Sequence, residues 1–227
     1  MKIAVIIPAL NEEQSIGEVV SVVPRNLASE IIVADNGSSD RTAQVAREAG
    51  ARVVREERKG YGAACLAGVR AVNDAEVIVF LDGDHSDDPR EMPVVLAPIL
   101  GGQADLVIGS RVRGHLEEGA MAPHQLFGNK VATTMIRLLY GLRLSDLGSF
   151  RAIRRQVLEG LQMSHPTYGW PVEMIVKAAK KKYRVVEVPI TYRRRIGQSK
   201  VTGTVKGSVL AGYHMITTIL HYAWRSV

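Results

Sequence analysis

The chain has 227 residues, of which 46% are hydrophobic and 23% are charged, as in an ordinary folded protein. Aromatic residues make up only 5%, which argues against a stacking platform for single-stranded nucleic acid, and the single cysteine, Cys65, excludes a disulfide framework or a cysteine-rich zinc site. The net charge of +6 conceals an asymmetry, because residues 1–110 carry 10 Lys/Arg and 17 Asp/Glu whereas residues 111–227 carry 19 and 6. An acidic half that could gather a cation is joined to a basic half that could meet phosphates or a membrane surface.

The first half of the chain alternates strand and helix patterns. Strands are predicted at 2–8, 30–35, 51–56, 75–82 and 104–111, and helices at 13–23, 41–49, 59–72 and after Pro89. This alternation, with nearly continuous apolar strands, predicts right-handed βαβ units and a mostly parallel sheet covered on both faces. Ligands of such sheets bind beyond the carboxyl ends of the strands. The polar clusters at 8–12, 35–40, 82–88 and 110–113 lie there, so the site is predicted at this edge.

In the second half, helices are predicted at 124–140, 170–182 and 205–224 and strands at 149–155 and 183–193, with polar loops at 111–123 and 193–203. No repeat or linker divides the chain, so a single domain spanning 1–227 is expected. The N-terminal apolar run is too short for a signal peptide, and no stretch approaches the ~18–20 apolar residues that cross a bilayer. We therefore expect a cytoplasmic protein.

The segment FLDGDHSDDP, residues 80–89, begins within the strand at 75–82 and places Asp82 and Asp84 two residues apart. Their carboxylates are suited to Mg²⁺ or Mn²⁺ that bridges a diphosphate, and Gly83 lets the backbone approach the ligand. The alternative is a helix N-cap, which is the favoured interpretation for Asp87 and Asp88 before Pro89.

Three other segments each allow two interpretations. Asp35 begins a turn that could also meet a nucleobase, and Lys59 with Gly60 forms a phosphate-approach loop or a close helix contact, although the full P-loop pattern is absent. Arg195 and Lys200 belong to a cationic loop that could bind diphosphate or be merely solvated. Glu173 could be a base or the i,i+4 partner of Lys177.

Taken together, these motifs resemble a family-2 glycosyltransferase with the GT-A fold, of the dolichyl-phosphate mannose/glucose synthase-like type. The resemblance covers nearly the whole chain, and the order and spacing of its motifs are specific. The matching segments are IPALNEEQSI, VADNGSSDRT, KGYGAACLAG, FLDGDHSDDP, IGSR, LSDLGSFRAIRR, TYGWPVEM and VEVPITYRRRIGQSKVTG. It implies a Rossmann-like, mostly parallel sheet flanked by helices, a nucleotide-sugar-binding half at 1–111 and an acceptor-side half at 112–227 that ends in a terminal helix.

The resemblance also implies roles for individual residues. Those expected to bind the nucleotide sugar are Pro8, Leu10, Glu12, Asp35, Lys59, Gly60, Asp82, Gly83, Arg195 and Lys200. Asp82 and Asp84 match the DxD pair that also binds the divalent metal. Ser86 stands where relatives often carry a Gln ligand, so the third metal ligand is expected to be Ser86, water or a phosphate oxygen. Arg111 matches a basic residue near the sugar or the acceptor, and Asp146 and Arg151 match the acceptor-side motif.

The reaction implied is an inverting, metal-dependent transfer of a hexose from a UDP- or GDP-sugar to a polyprenyl or dolichyl phosphate or another lipid-type acceptor. Charge stabilisation is expected from the metal on Asp84 together with Arg195 and Lys200. A soluble small-molecule hydroxyl acceptor is the alternative, and it would need a base, for which Glu173 and Asp146 are candidates. A sugar nucleotidyltransferase and a basic nucleic-acid-binding protein are more distant alternatives, and no nucleic-acid partner is expected.

The terminal helix places an apolar set near one face, namely Val209, Tyr213, Ile216, Leu220 and Trp224. This face could lie on the inner face of the membrane as a peripheral contact, pack in a homodimer, or pack on the core of the protein itself.

Overall fold

The computed structural model describes residues 1–197 and 205–225, and within them a seven-stranded sheet forms the centre of the molecule. In chain order the elements are β1 (Ile3–Ala9), α1 (Ile16–Val22), β2 (Glu30–Asp35), α2 (Thr42–Glu48), β3 (Arg52–Arg55), α3 (Tyr61–Ala71), β4 (Val77–Phe80), a 3-10 turn (Pro89–Glu91), α4 (Met92–Leu100), β5 (Leu106–Ser110), α5 (Pro123–Tyr140), β6 (Arg151–Arg154), α6 (Arg155–Leu161), α7 (Trp170–Lys180), β7 (Val185–Pro189) and α8 (Val205–Ala223).

The strand order across the sheet is β3-β2-β1-β4-β6-β5-β7. All neighbouring strands pair in parallel except β6, which runs antiparallel to both β4 and β5. The predicted mostly parallel α/β architecture is therefore confirmed. The reversal of β6 was not predicted, and it brings the loop that precedes this strand to the edge where the parallel strands end.

Both faces of the sheet are covered, as the apolar strands predicted. In β1, Ile3, Val5 and Ile7 pack into the core formed with α1, α2 and α4. Ala4 and Ile6 pack into the other core, which includes residues of α3 and α5 to α8. Successive side chains of a strand point to opposite faces, so a continuous apolar run is what a doubly covered strand requires.

Several predicted elements have different bounds in the structure. The strand predicted at 149–155 is shortened to Arg151–Arg154, and a helix that was not predicted, α6, follows it at once. The strand predicted at 75–82 pairs only over Val77–Phe80, which leaves Asp82 beyond the end of β4. In the part of the chain that the structure describes, no helix has the length and apolar character needed to cross a membrane.

Candidate active site

Two cavities lie next to each other at the edge where β1, β4 and β5 end. Cavity A has a volume of about 410 Å³ and cavity B about 280 Å³. Residues that line both are Tyr61, Asp82, Asp84, Tyr168 and Arg195. The two predicted metal-binding carboxylates therefore lie where the cavities meet.

Cavity A contains most of the residues predicted to bind the nucleotide sugar. These are Pro8, Leu10, Glu12, Lys59, Gly60, Asp82, Gly83 and Arg195. Lys200 lies outside the described residues. The lining residues that were not predicted include Leu210 and His214 of α8 and Thr167 and Tyr168 of the loop before α7.

Asn36, rather than Asp35, faces cavity A. The Asp35 carboxylate turns back and accepts a hydrogen bond from the Ser38 backbone N–H at 3.0 Å, which is the turn interpretation of this segment. Asn36 accepts a hydrogen bond from Gly60 N–H at 2.7 Å and donates one to the Arg58 carbonyl at 2.8 Å. Asn36 thus holds the loop of Lys59 and Gly60, called the glycine loop below, against β2. The only sequence signal for this role was the place of Asn36 in the turn.

The glycine loop is pressed against the loop that precedes α7. A Cβ atom at Gly60 would lie 2.3 Å from the Pro166 carbonyl oxygen, and Gly60 adopts φ 136°, a conformation open to glycine alone in practice. The same carbonyl accepts a hydrogen bond from Ala63 N–H at 2.9 Å. The close-packing interpretation of the glycines is therefore correct, and this packing gives the loop its place beside cavity A.

The Asp84 carboxylate is held on both of its oxygens. Ser86 donates both its backbone N–H, at 2.9 Å, and its hydroxyl to Oδ1, while Arg195 Nη2 lies 3.0 Å from Oδ2. Arg195 also contacts Glu12 Oε1 at 3.2 Å. Ser86 is fully buried and lines neither cavity, so its placement argues against the predicted role as a metal ligand; it orients Asp84 instead.

Asp82, which is half-buried, and Asp87, which is buried, are carboxyl groups that carry an electrostatic penalty. Burial, followed by the charge of Asp84, raises the pKa of Asp82, whose Oδ1 accepts a hydrogen bond from the Tyr61 hydroxyl at 3.0 Å. Burial, followed by the charges of Asp82 and Asp84, raises the pKa of Asp87 well above its usual range. Among the residues that the structure describes, none is a hydrogen-bond partner of Asp87 Oδ1.

The helix start predicted at Asp87 and Asp88 belongs to Asp88 alone. Asp88 caps the 3-10 turn by accepting a hydrogen bond from Arg90 N–H at 3.1 Å, and it also pairs with the Arg90 and Arg193 side chains. Asp87 faces inward to Ser149, whose hydroxyl donates to Asp87 Oδ2 at 3.2 Å. The two adjacent carboxylates therefore point into different surroundings, and the prediction was wrong for Asp87.

The chemistry of the donor atoms suits a hard divalent cation. Asp82 and Asp84 present carboxylate oxygens at the junction, but among the described residues no three acidic, histidine or cysteine side chains are arranged to hold a metal by themselves. Mg²⁺ commonly takes one or two carboxylates and completes its shell with substrate phosphates and water. The residues present fit a cation shared with a diphosphate.

Cavity B contains Arg111, which Asp146 holds in place. Asp146 accepts hydrogen bonds from Arg111 Nε at 2.7 Å, Nη2 at 2.6 Å and the backbone N–H at 2.8 Å. Burial alone would raise the pKa of Asp146, but the hydrogen bonds and charge of Arg111 outweigh it and lower that pKa. Arg111 also lies over the Tyr192 ring, 5.0 Å from its centroid. This geometry argues against Asp146 as a base and makes it the support of Arg111.

The lining of cavity B combines apolar, basic and polar side chains. Its apolar lining residues are Met121, Leu147, Pro171, Ala211 and Met215. Its positively charged lining residues are Arg111 and Arg195, and α5 adds the polar groups of His124, Gln125 and Asn129.

Glu173 and Arg151 line neither cavity. Glu173 is fully buried, with Lys177 Nζ 2.8 Å away, so the i,i+4 interpretation describes it and the predicted role as a base has no geometric support. Arg151 donates to the carbonyls of Pro171, Leu147 and Gly148. Burial lowers the pKa of Arg151, and this residue holds together the loop before β6.

A sheet of this topology, with paired carboxylates between two cavities at its carboxyl edge, defines a glycosyltransferase of the GT-A type. Residues 4–161 match the profile of Glycosyl transferase family 2, and the chain belongs to that family. An uncharacterised glycosyltransferase of Mycobacterium tuberculosis is 37% identical over 92% of this chain and 94% of its own length. The dolichyl-phosphate hexose transferase of Haloferax volcanii is 34% identical over 92% and 90%. The undecaprenyl-phosphate mannosyltransferase of Micrococcus luteus is 30% identical over 92% and 91%.

Solved structures agree with the sequence comparison. Glucosyl-3-phosphoglycerate synthase of Mycobacterium tuberculosis, in complex with Mn²⁺, UDP and phosphoglyceric acid, superposes with a TM-score of 0.81. It is 25% identical, and the match covers all of this chain and 80% of that one. The same enzyme has also been solved with Mg²⁺ and UDP, with a TM-score of 0.80.

Proposed function

We propose that this glycosyltransferase transfers a hexosyl group, with inversion, from a nucleoside diphosphate sugar in cavity A to the phosphate of a polyprenyl-type lipid in cavity B. The observation that carries the proposal is the junction between the cavities. Asp82, Asp84 and Arg195 line both, so a donor in one and an acceptor in the other would meet at the same charged groups.

The walls of cavity A support a nucleoside diphosphate as the donor. The 8–12 segment, Asn36 and the Lys59–Gly60 pair line this cavity and suit a base and ribose. Arg195 lies beside Glu12 and Asp84, where its guanidinium could exchange a carboxylate partner for a diphosphate. The relatives solved with UDP support the same assignment. The predicted contribution of Lys200 remains part of this proposal.

Asp82 and Asp84 are the residues that would hold the divalent cation. When bound, Mg²⁺ or Mn²⁺ would stabilise the negative charge that develops on the departing nucleoside diphosphate. Ser86 would keep Asp84 oriented, and Arg195 would add a second positive charge at the same place.

Arg111 and the apolar walls of cavity B support a lipid phosphate as the acceptor. The planar guanidinium of an arginine binds phosphate through two parallel hydrogen bonds, and Asp146 fixes the orientation of this one. A phosphate acceptor is already ionised, so it needs no strong base. Glu173 and Asp146, the predicted bases, are both committed to ion pairs.

The surface around the mouth of cavity B supports contact with an anionic membrane. Helices α5 and α8 contribute to the cavity and pack against each other. Their exposed apolar side chains are Leu126, Phe127, Leu138, Leu139, Leu210, Tyr213, Ile216, Leu220 and, just beyond α8, Trp224. Residues 123–144 and 205–225 contain no Asp or Glu, and their Lys and Arg residues are Lys130, Arg137, Arg143, Lys206 and Arg225. This combination is typical of helices that lie at a membrane interface.

A soluble hydroxyl acceptor is the second candidate, and one observation favours it. The solved relative, glucosyl-3-phosphoglycerate synthase, was obtained in complex with phosphoglyceric acid.

Two assays test the proposal in sequence. A panel of UDP- and GDP-sugars is screened by thermal shift with Mn²⁺ or Mg²⁺, since a donor that binds only the folded protein raises its melting temperature. The best donor is then incubated with a polyprenyl phosphate in detergent and, separately, with 3-phosphoglycerate. Glycosylated lipid supports the proposal, whereas glycosylated phosphoglycerate alone replaces it with the second candidate. If no nucleotide sugar shifts the melting temperature, the donor assignment is wrong.

A further inference from the structure

Glu173 accepts hydrogen bonds from two separate parts of the molecule. From the loop before α7, Ser164 donates its backbone N–H at 3.1 Å and its hydroxyl at 2.9 Å, and His165 donates its backbone N–H at 2.8 Å. From α8, the Tyr222 hydroxyl donates at 2.7 Å. Lys177 balances the charge at 2.8 Å. A carboxylate accepts about four hydrogen bonds, so this one is saturated.

The loop side of this network leads to cavity A. Residues 164–165 are fastened to Glu173, and the next residue, Pro166, accepts the hydrogen bond from Ala63 N–H and packs on Gly60. Thr167 and Tyr168 then line the cavity itself. A displacement of this loop would therefore move one wall of cavity A and release the glycine loop.

The helix side of the network leads to both cavities. Tyr222 lies near the end of α8, where Lys180 Nζ also donates to its carbonyl at 2.7 Å and the Lys177 ammonium lies 5.0 Å from the centroid of its ring. Toward the other end, α8 contributes Leu210 and His214 to cavity A, and Ala211, Gly212 and Met215 to cavity B.

We propose that Glu173 is a positioning residue that fastens α8 and the 164–168 loop to each other and thereby sets the placement of cavity A relative to cavity B. The identities of the ligands in the two cavities rest on the proposed function, but the connection itself does not. Fixing two reactants in a reacting geometry is worth large factors in rate, and a displacement near 1 Å can cost about 100-fold.

Hydrogen–deuterium exchange tests the connection without any substrate. In Glu173→Gln the negative charge is lost and one acceptor oxygen becomes an NH₂ group that faces donors, so the hydrogen bonds weaken on both sides of the network. We expect amides of 164–168 and of 218–223 to exchange faster, each by about tenfold, since local opening governs exchange. Tyr222→Phe should accelerate only the 218–223 segment, and Ser164→Ala mainly the loop.

The control is Asp105→Asn, which likewise replaces a carboxylate with its amide. Asp105 pairs with Arg184 at the start of β5, whereas the cavities lie beyond the end of this strand. It should leave both segments unchanged. The proposal is wrong if Glu173→Gln accelerates one segment and not the other, or if Asp105→Asn accelerates both equally. Should Glu173→Gln fail to fold, Tyr222→Phe and Ser164→Ala decide the question, because each retains the Glu173–Lys177 pair. The proposal is then wrong if Tyr222→Phe leaves exchange of 218–223 unchanged, or if Ser164→Ala leaves exchange of the 164–168 loop unchanged.

Calorimetry measures the affinity for UDP with Mn²⁺ well below the melting temperature of each variant. A purely structural role of Glu173 would leave this affinity unchanged. We expect Glu173→Gln to weaken UDP binding about tenfold, as a misplaced cavity wall would, and Tyr222→Phe to change it little. Unchanged affinity in Glu173→Gln would contradict the positioning role. If the wild-type protein binds neither UDP nor GDP, the proposed donor class fails, while the exchange experiment still decides on the connection.

Discussion

Arg195 and Asp84 form an ion pair where the two cavities meet, with Nη2 3.0 Å from Oδ2. The backbone reinforces this contact, because Ile196 N–H donates to the Asp84 carbonyl at 2.9 Å and Arg193 N–H to the Ser86 carbonyl at 2.8 Å. The guanidinium thus lies beside the carboxylate that we propose for the metal. A divalent cation at Asp84 would compete with the arginine for the same oxygen until a diphosphate gave the arginine another partner.

Replacing Arg195 should therefore strengthen binding of Mn²⁺ in the absence of nucleotide. We expect Arg195→Gln to bind Mn²⁺ on the order of tenfold more tightly than the wild type, because a like charge near the cation is removed. A Mn²⁺ titration followed by electron paramagnetic resonance measures this. Arg194→Gln is the matched control, since Arg194 lies beside Glu117 and Glu118 and should leave Mn²⁺ affinity unchanged. Weaker Mn²⁺ binding in Arg195→Gln would show that the arginine does not compete.

Asp146→Asn should lower the transfer rate by loosening Arg111. We expect a loss of about 10- to 100-fold in kcat/KM for the acceptor, because Arg111 would no longer be held in its bidentate geometry. The pH–rate profile should keep its shape, since Asp146 has a lowered pKa and stays charged through the neutral range. Steady-state kinetics across pH measure both effects with a donor found by the screen. Loss of one limb of the profile would instead identify Asp146 as a base.

Gly60→Ala should weaken the binding of nucleotide, and its loss of folding stability alone would not account for this. The new Cβ would lie 2.3 Å from the Pro166 carbonyl oxygen, so the loop before α7 must move away from cavity A. Gly102→Ala is the control, because Gly102 also has a positive φ, of 68°, but apart from its two chain neighbours no described residue has a heavy atom within 4 Å of its Cβ position. Gly102→Ala should cost only about 1 kcal/mol of backbone strain. Calorimetric titration with UDP and Mn²⁺ should find weaker binding in Gly60→Ala alone, and equal affinities would contradict this account of the loop.

Asp87→Asn and Asp88→Asn should change the stability of the metal-free protein in opposite directions at pH 7. For Asp87 the folded-state pKa is raised by burial and the neighbouring carboxylates, so the charge destabilises the fold above the unfolded pKa of ~3.9. Removing the charge should raise the melting temperature at pH 7, and the gain should disappear as pH falls toward 4.

For Asp88, burial would raise the pKa, but hydrogen bonds from Arg90 and the charge of Arg193 lower it overall. Its charge therefore stabilises the fold above the unfolded pKa, and this contribution is lost as pH falls through the folded value. Asp88→Asn should lower the melting temperature at pH 7, by about 2–4 °C for each kcal/mol lost in a chain of this size. Thermal scans in EDTA at pH 4 and pH 7 measure both variants, and a shift of the same sign in both at pH 7 would contradict the assignment.

The apolar surface of α8 should bind anionic vesicles. We expect wild-type protein to sediment with phosphatidylglycerol vesicles and less with phosphatidylcholine, because both apolar burial and surface charge contribute. Tyr213→Ser and Trp224→Ser, at positions 63% and 79% exposed, should reduce binding. Val94→Ser on α4 is the control, at an apolar position 43% exposed on the other face of the sheet. Equal sedimentation of all variants would point to a different role for this surface, such as a homodimer contact.

The position of the site could be predicted because parallel strands end at one edge. Once 2–8, 75–82 and 104–111 were recognised as strands of one sheet, Pro8, Asp82 and Arg111 had to lie at that edge, as the structure shows. The direction in which each side chain points was less predictable. Asp35 and Asn36 are adjacent in a turn, and only its backbone decides that Asn36 faces the cavity.

The reversal of β6 could not be predicted, because antiparallel and parallel strands buried on both faces have the same apolar pattern. The role of Glu173 had a signal in the i,i+4 spacing to Lys177, but its contacts to Ser164 and Tyr222 depend on tertiary packing of distant segments. The same is true of Leu210 and His214, which reach cavity A only because α8 packs back across the loop before α7.

The reversed strand β6 also has a consequence for divergence within the family. Because β6 starts at the edge where its neighbours end, the loop at 141–150 can change length without shifting the register of β1, β2 and β4. That loop supplies Leu147 and Ser149 to cavity B and the carboxylate that holds Arg111, but no residue to cavity A. Insertions there can reshape cavity B while cavity A is inherited intact. Some relatives are named for lipid phosphates and one was solved with phosphoglyceric acid. This arrangement of the fold permits such diversity.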